Sequence, residues 1–117
     1  MNDDILDLKE FLERVQDDKE LLLELLDIFQ ADFQDKRQKI KEALQNKNYE
    51  DLRSLAHSLK GASGNISAKA LWATFFKFEE ISKKQDLTEA EKIFSLMDAQ
   101  FATLQERIKQ LQQELNP

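Results

Sequence analysis

The chain has one histidine, His57, in the run Ala56-His57-Ser58-Leu59-Lys60-Gly61-Ala62-Ser63-Gly64-Asn65-Ile66. An imidazole with an unprotonated, solvent-reachable ring nitrogen is a nucleophile, also toward phosphorus. A hydrogen bond to the other nitrogen fixes its tautomer. Phosphoryl transfer then depends on positioning and on cations near the phosphoryl oxygens. Lys60 lies one helical turn beyond His57 on the same side, so its ammonium is within reach of a phosphate on the ring. Gly61, at i+4, occupies the position whose side chain would otherwise cover the imidazole. A mid-helix glycine costs about 1 kcal/mol relative to Ala. Gly61 and Gly64 therefore ask for a reason, and close approach of a partner supplies one.

The element that must hold these residues is a helix. At about 100° per residue, Leu52, Leu55, Leu59, Ala62 and Ile66 share one face, with Ala56 and Ser63 at its edge. His57 points away from that face, beside Arg53, Lys60, Gly61 and Gly64. Taken singly, each has a plain explanation: a solvated histidine, a C-cap glycine, one of 17 cations. Together they share one face opposite an uninterrupted apolar stripe.

Composition bounds the frame. A length of 117 residues suits a single domain over 1–117 with one core. Two Gly and one Pro, the last residue, leave few breakers in a chain rich in Leu, Lys, Glu, Gln and Ala, which argues for long helices. There is no cysteine, hence no disulfide framework or thiolate metal site, in keeping with a cytoplasmic protein. The start, Met1-Asn2-Asp3-Asp4, lacks the pattern of a secretory signal. No apolar run approaches the roughly 18 residues of a membrane span. The net charge is -6, and the aromatic residues sit at helical spacing rather than among arginines. Nucleic-acid binding, which needs a basic footprint, is not expected.

Five helices are predicted. The first runs from about Asp4 to Val15. Asp17-Asp18-Lys19-Glu20 has capping-box spacing, Asp17 as N-cap, and opens a second helix to about Gln45. Asn46-Lys47-Asn48 is a turn. The third helix spans Tyr49 to about Ser63, with Gly64-Asn65 to end it and Ser67 to cap a fourth from Ala68 to about Lys84. Thr88-Glu89-Ala90-Glu91, again with capping-box spacing, opens a fifth to about Glu114. Its seam of Ile93, Met97, Phe101, Leu104, Ile108, Leu111 and Leu115 suits bundle core, or equally a coiled-coil dimer. Short connections between long amphipathic helices make an all-α fold: an antiparallel up-down four-helix bundle with an additional short N-terminal helix.

His57-Ser58-Leu59-Lys60-Gly61, followed by Ser63, Asn65 and Ala68, resembles the signature of histidine-containing phosphotransfer (HPt) domains, and helix order and length agree over essentially the whole chain. The resemblance implies a four-helix bundle with an extra short helix. It implies a carrier that passes a phosphoryl group between receiver-domain aspartates in multistep phosphorelays, without kinase activity of its own. On that basis His57 accepts the phosphoryl group through Nε2, Lys60 screens its charge and Gly61 gives the receiver access. The family commonly has a carboxylate or amide on the next helix, bonded to the histidine Nδ1. Glu79 has the matching spacing and is expected to face His57, the alternative being an i, i+4 pair with Lys83. Ser67 stands where the family often has glycine, so the geometry of that turn is open.

The implied partners are receiver domains of response regulators or hybrid histidine kinases, meeting a monomer transiently. Arg53, Ser54, Gly61, Gly64 and Trp72 are the candidate docking residues besides Lys60; for Phe76, burial in the core is expected. No cofactor or metal is required, the Mg²⁺ of such relays belonging to the receiver. A histidine-kinase dimerisation pair would normally be joined to an ATP-binding domain, and no Gly-rich nucleotide loop is present. A hydrolase is poorly served by one His, no Cys and no convincing nucleophile. A helical adaptor that binds a signalling partner without accepting phosphate is the alternative function.

Overall fold

The computed structural model describes residues 4–115. Met1-Asn2-Asp3, which bear on the reading of the N-terminus, and Asn116-Pro117 lie outside the described residues. The regular elements among the described residues are five α-helices: α1 (Leu8–Arg14), α2 (Lys19–Gln45), α3 (Tyr49–Asn65), α4 (Lys69–Lys84) and α5 (Ala90–Leu115). Each of the four long helices packs on its sequence neighbours and α2 also meets α5, which closes the ring, while α1 lies against α2. With loops this short, successive helices run antiparallel. The result is a four-helix bundle with an extra short N-terminal helix, 46 × 25 × 21 Å. No described helix is long and apolar enough to cross a membrane.

Phe33 of α2 sits at the centre of the core. It stacks on Phe101 of α5, ring centroids 3.8 Å apart, and meets Phe75 of α4 at 6.2 Å. The α5 seam from Ile93 to Leu111 is buried within the same core, so its apolar stripe is consumed inside one chain. Outside it, Arg37 of α2 forks onto Asp98 of α5, with Nε–Oδ1 and Nη2–Oδ2 both at 2.7 Å.

Helix starts differ from expectation where a neighbouring polar group competes for the cap. α1 begins at Leu8 rather than Asp4. Asp7 caps it by accepting the Glu10 N–H (3.1 Å), while its own N–H donates to the Ser67 carbonyl (3.0 Å). The N-cap of α2 is Asp18, which accepts the Leu21 N–H at 3.0 Å. Asp17 instead has φ 62° and closes the turn after α1 by donating its N–H to the Leu12 carbonyl (2.8 Å). Glu20 thus falls at the second helical position, and the expected capping box does not form. Thr88 likewise turns away from α5: its hydroxyl donates to Asp86 Oδ1 at 2.6 Å, and the helix begins at Ala90.

α3 differs in length and in rotation. It continues through Gly64 and Asn65, which do not end it, to a C-cap at Ile66. Ser67 does not cap α4; Ala68 holds that position without a side-chain hydrogen bond. Ser67 has φ 62°, the left-handed backbone that glycine adopts without strain. Its buried hydroxyl donates to Glu10 Oε1 at 2.8 Å, offsetting the strain by tying the turn to α1. The buried line of α3 is Leu52, Ala56, Leu59 and Ser63, with Leu55 and Ala62 only half-buried. This is a turn of roughly 40–50° from the expected face. Small Ala56 and Ser63 admit α4 closely, and the Lys60 side of α3 comes round with them.

Candidate functional site

α3 and α4 run side by side, which brings residues 22 positions apart into contact. His57 lies in mid-α3 with its side chain 72% exposed. Opposite it on α4 is Glu79, with only 8% of its side chain exposed. Oε2 of Glu79 is 3.4 Å from His57 Nδ1, a long hydrogen bond in the tautomer that carries the proton there. Nε2 is then the unprotonated nitrogen. The i, i+4 alternative with Lys83 is not what Glu79 does; its two partners are both on α3.

The second partner is Lys60, whose Nζ is 2.6 Å from Glu79 Oε1. The approach is poorly directed for a hydrogen bond, so the contact is a close ion pair. Burial by itself would raise the Glu79 pKa. The Lys60 ammonium, and then His57, outweigh it and hold the carboxyl below its ordinary value. Lys60 is largely covered, its side chain being 19% exposed. It crosses to α4 and lies 5.5 Å from the Trp72 ring centroid and 5.4 Å from that of Phe76. Those rings stack on each other at 5.7 Å and 11°. The expectation of core burial for Phe76 is wrong: both rings are 41% exposed. Leu71, Phe75 and Phe78 already fill the core side of α4, which leaves Phe76 on its flank.

The two glycines do different things. A Cβ on Gly61 would meet nothing within 4 Å, the His57 ring included, so, contrary to expectation, a methyl there would not cover the imidazole, and the helix surface beside it is open. A Cβ on Gly64 would stand 3.4 Å from Trp72 Cδ1; Gly64 has a neighbour in its own chain, on which Trp72 rests. Arg53 and Ser54 are exposed a turn before His57, but neither joins the His57–Glu79–Lys60 cluster. Ser54 lines a polar groove with Lys39, Glu42 and Asp51 toward α2.

Two features went unread in the sequence. Lys36 of α2 pairs with Asp32 at 2.9 Å and donates to the Ser58 hydroxyl at 2.7 Å, placing a second cation against the residue after the histidine on the α2 side. Ile28, 58% exposed, forms an apolar strip with Leu25 and Ala62 at the α2–α3 edge. Ile28 lies on the flank of α2, about 120° round from the centre of its buried stripe, the signal that could have marked it as surface. Among the described residues, no group of three or more His, Asp or Glu is placed to hold a metal ion.

A family model described as Hpt domain matches residues 24–114. The chain belongs to the Hpt domain family. Its fold is similar to that of histidine-containing phosphotransfer protein B from Pseudomonas aeruginosa PAO1, with a TM-score of 0.86 and 28% identity over 93% of this chain and 95% of that one. It is also similar to the HPT domain of an Hpt sensor hybrid histidine kinase from Shewanella, with a TM-score of 0.81 and 20% identity over 98% and 99% of the two chains. No curated protein matches the chain. This Hpt domain functions in histidine phosphotransfer within phosphorelays.

Proposed function

We propose that His57 is the phosphoacceptor of this Hpt domain, exchanging a phosphoryl group with the aspartates of receiver domains. The observation that carries this reading is a solvent-exposed imidazole whose Nδ1 faces the buried carboxylate of Glu79 at 3.4 Å. Glu79 keeps the proton on Nδ1, so Nε2 presents its lone pair to solvent. As Nε2 bonds to phosphorus, the aspartyl O–P bond of the receiver breaks and its carboxylate leaves. Positive charge grows on the ring, where the Glu79 carboxylate stabilises it, and Lys60 stands one turn on to offset the phosphoryl charge. The return step reverses these bonds. The protein contributes positioning and charge and no chemistry of its own beyond the histidine, so it acts as a carrier rather than an enzyme.

The receiver is proposed to reach Nε2 over Gly61, resting on the apolar α2–α3 strip around Ile28 and Ala62, with Arg53 and Lys36 at its rim. Ser54, Gly64 and Trp72 flank that approach. A contact of this kind is small and short-lived, and a cytoplasmic monomer suffices for it.

The test is incubation with a phosphorylated receiver domain, followed by assay of acid-labile, base-stable phosphate on the wild type and on His57→Gln. Label on the wild type alone is expected, with both proteins equally helical by circular dichroism. Label retained on His57→Gln would remove the assignment. A folded wild type that takes no label from several receivers would favour the adaptor function.

A further inference from the structure

The Trp72–Phe76 pair has no part in the chemistry described so far. Two large aromatic side chains lie side by side on the outer flank of α4, each 41% exposed, although the core side of that helix is already filled. Their stack is nearly parallel, and the Lys60 ammonium stands at almost the same distance from both centroids. Trp72 lies against α3 beside Gly64, where a Cβ would stand 3.4 Å from Trp72 Cδ1, at ordinary contact distance.

Lys60 also faces a conflict. Its ammonium is held by Glu79 Oε1, while a phosphoryl group on Nε2 would form on the side of the imidazole away from Nδ1 and Glu79. A dianionic phosphoryl group competes for the same cation, so Lys60 must shift toward it while Glu79 keeps Nδ1 through Oε2. A lysine stem released into water would lose its place. Attraction of a cation to an aromatic face is broad in direction, so an ammonium can slide along two adjoining faces without a sharp barrier.

We propose that the Trp72–Phe76 stack is a positioning device for Lys60, holding its ammonium beside His57 and guiding it between Glu79 and the phosphoryl group. Trp72 and Phe76 are thus positioning residues that act through Lys60. The proposal rests on His57 being the phosphoacceptor.

A small phosphodonor separates this role from docking. With phosphoramidate the donor P–N bond breaks as Nε2–P forms, and the donor nitrogen, already protonated, leaves as ammonia. Phosphohistidine formation is followed in the wild type, Trp72→Leu, Phe76→Leu, Trp72→Phe and Lys60→Ala, and in each Leu variant combined with Lys60→Ala. Thermal melts by circular dichroism confirm that every variant is folded. Each Leu substitution is expected to slow phosphorylation about two- to fivefold, the scale of one exposed cation–π contact. Trp72→Phe, which keeps an aromatic face, is expected to recover most of the rate. In the Lys60→Ala background the Leu substitutions are expected to add nothing.

Leu variants that react with phosphoramidate at the wild-type rate would overturn the proposal, and a raised KM for a receiver alone would mark the pair as a docking surface. Equal losses with and without Lys60 would overturn it in favour of a structural role. A wild type that takes no label at His57 removes the phosphoacceptor assignment and the device with it. A labelled wild type with unaffected Leu variants removes the device alone.

Discussion

Glu79 is the residue on which the site turns, because it is buried, charged and shared by two partners. Replacing it with Gln keeps the shape and removes the charge that holds Lys60 and orients His57. A loss of about 1–3 kcal/mol in unfolding free energy at neutral pH is expected, the scale for a charge-assisted contact in a desolvated place. The pH dependence has a definite sign. Glu79 has a folded-state pKa below its ordinary value of 4.5. Its contribution is therefore complete above that value and declines as pH falls through the lower folded value. The stability gap between wild type and Glu79→Gln, from urea melts, is expected to be widest near neutrality and to shrink as pH drops below about 4.5. A gap that stays constant to pH 3 would show that the carboxylate charge contributes nothing. Of this cluster, His57 and Lys60 were legible as candidates from residue type and spacing, and Glu79 only through the family resemblance. The pairing of Lys60 with Glu79 was not, because a helical wheel places a side chain on a face but carries no information about the neighbouring helix that turns toward it.

At the scale of the helix, α3 carries a residue that lowers its own stability. Gly61 is mid-helix and a Cβ there would touch nothing. Gly61→Ala is therefore expected to raise unfolding free energy by about 0.5–1 kcal/mol. If a receiver docks across this bare backbone, the same variant transfers phosphate to and from a receiver more slowly, while phosphoramidate labelling of His57 changes much less. Melting curves and the two rates, taken together, check both halves. The turn after α3 behaves differently. Ser67→Gly relieves a left-handed backbone but gives up the hydroxyl bond to Glu10. These effects oppose each other, so a net change smaller than about 1 kcal/mol is expected, whereas Ser67→Ala loses the bond and keeps the strain and is expected to cost about 1–2 kcal/mol. Elements were readable from apolar spacing because each long helix buries one continuous stripe. Their ends were less so. Asp17 and Asp18 are chemically equal candidates for one cap, and only the path of the chain from α1 decides between them. Ser67 looked like a cap because serine caps helices well, yet tertiary contact with α1 claimed its hydroxyl.

At the scale of the whole molecule, the four long helices are fastened by the aromatic cluster around Phe33, remote in kind from the exposed chemistry on α3. Phe33→Ala is expected to cost about 3–5 kcal/mol through lost burial and the cavity left behind. A thermal melt measures this, and the variant, where still folded, is expected to accept phosphate at His57 as before. Antiparallel order and bundle closure followed from short loops and stripe faces; the rotation of α3 did not, because it depends on how closely Ala56 and Ser63 let α4 approach. That rotation has an optical consequence. Trp72 is the only tryptophan of the chain, and it stands against Lys60, whose ammonium lies 5.5 Å from its ring centroid. Indole emission responds to charge beside the ring, so every photon of tryptophan fluorescence originates at the edge of the site. With His57 as the proposed phosphoacceptor, the molecule carries its own unlabelled reporter, expected to register arrival and departure of the phosphoryl group in a stopped-flow trace.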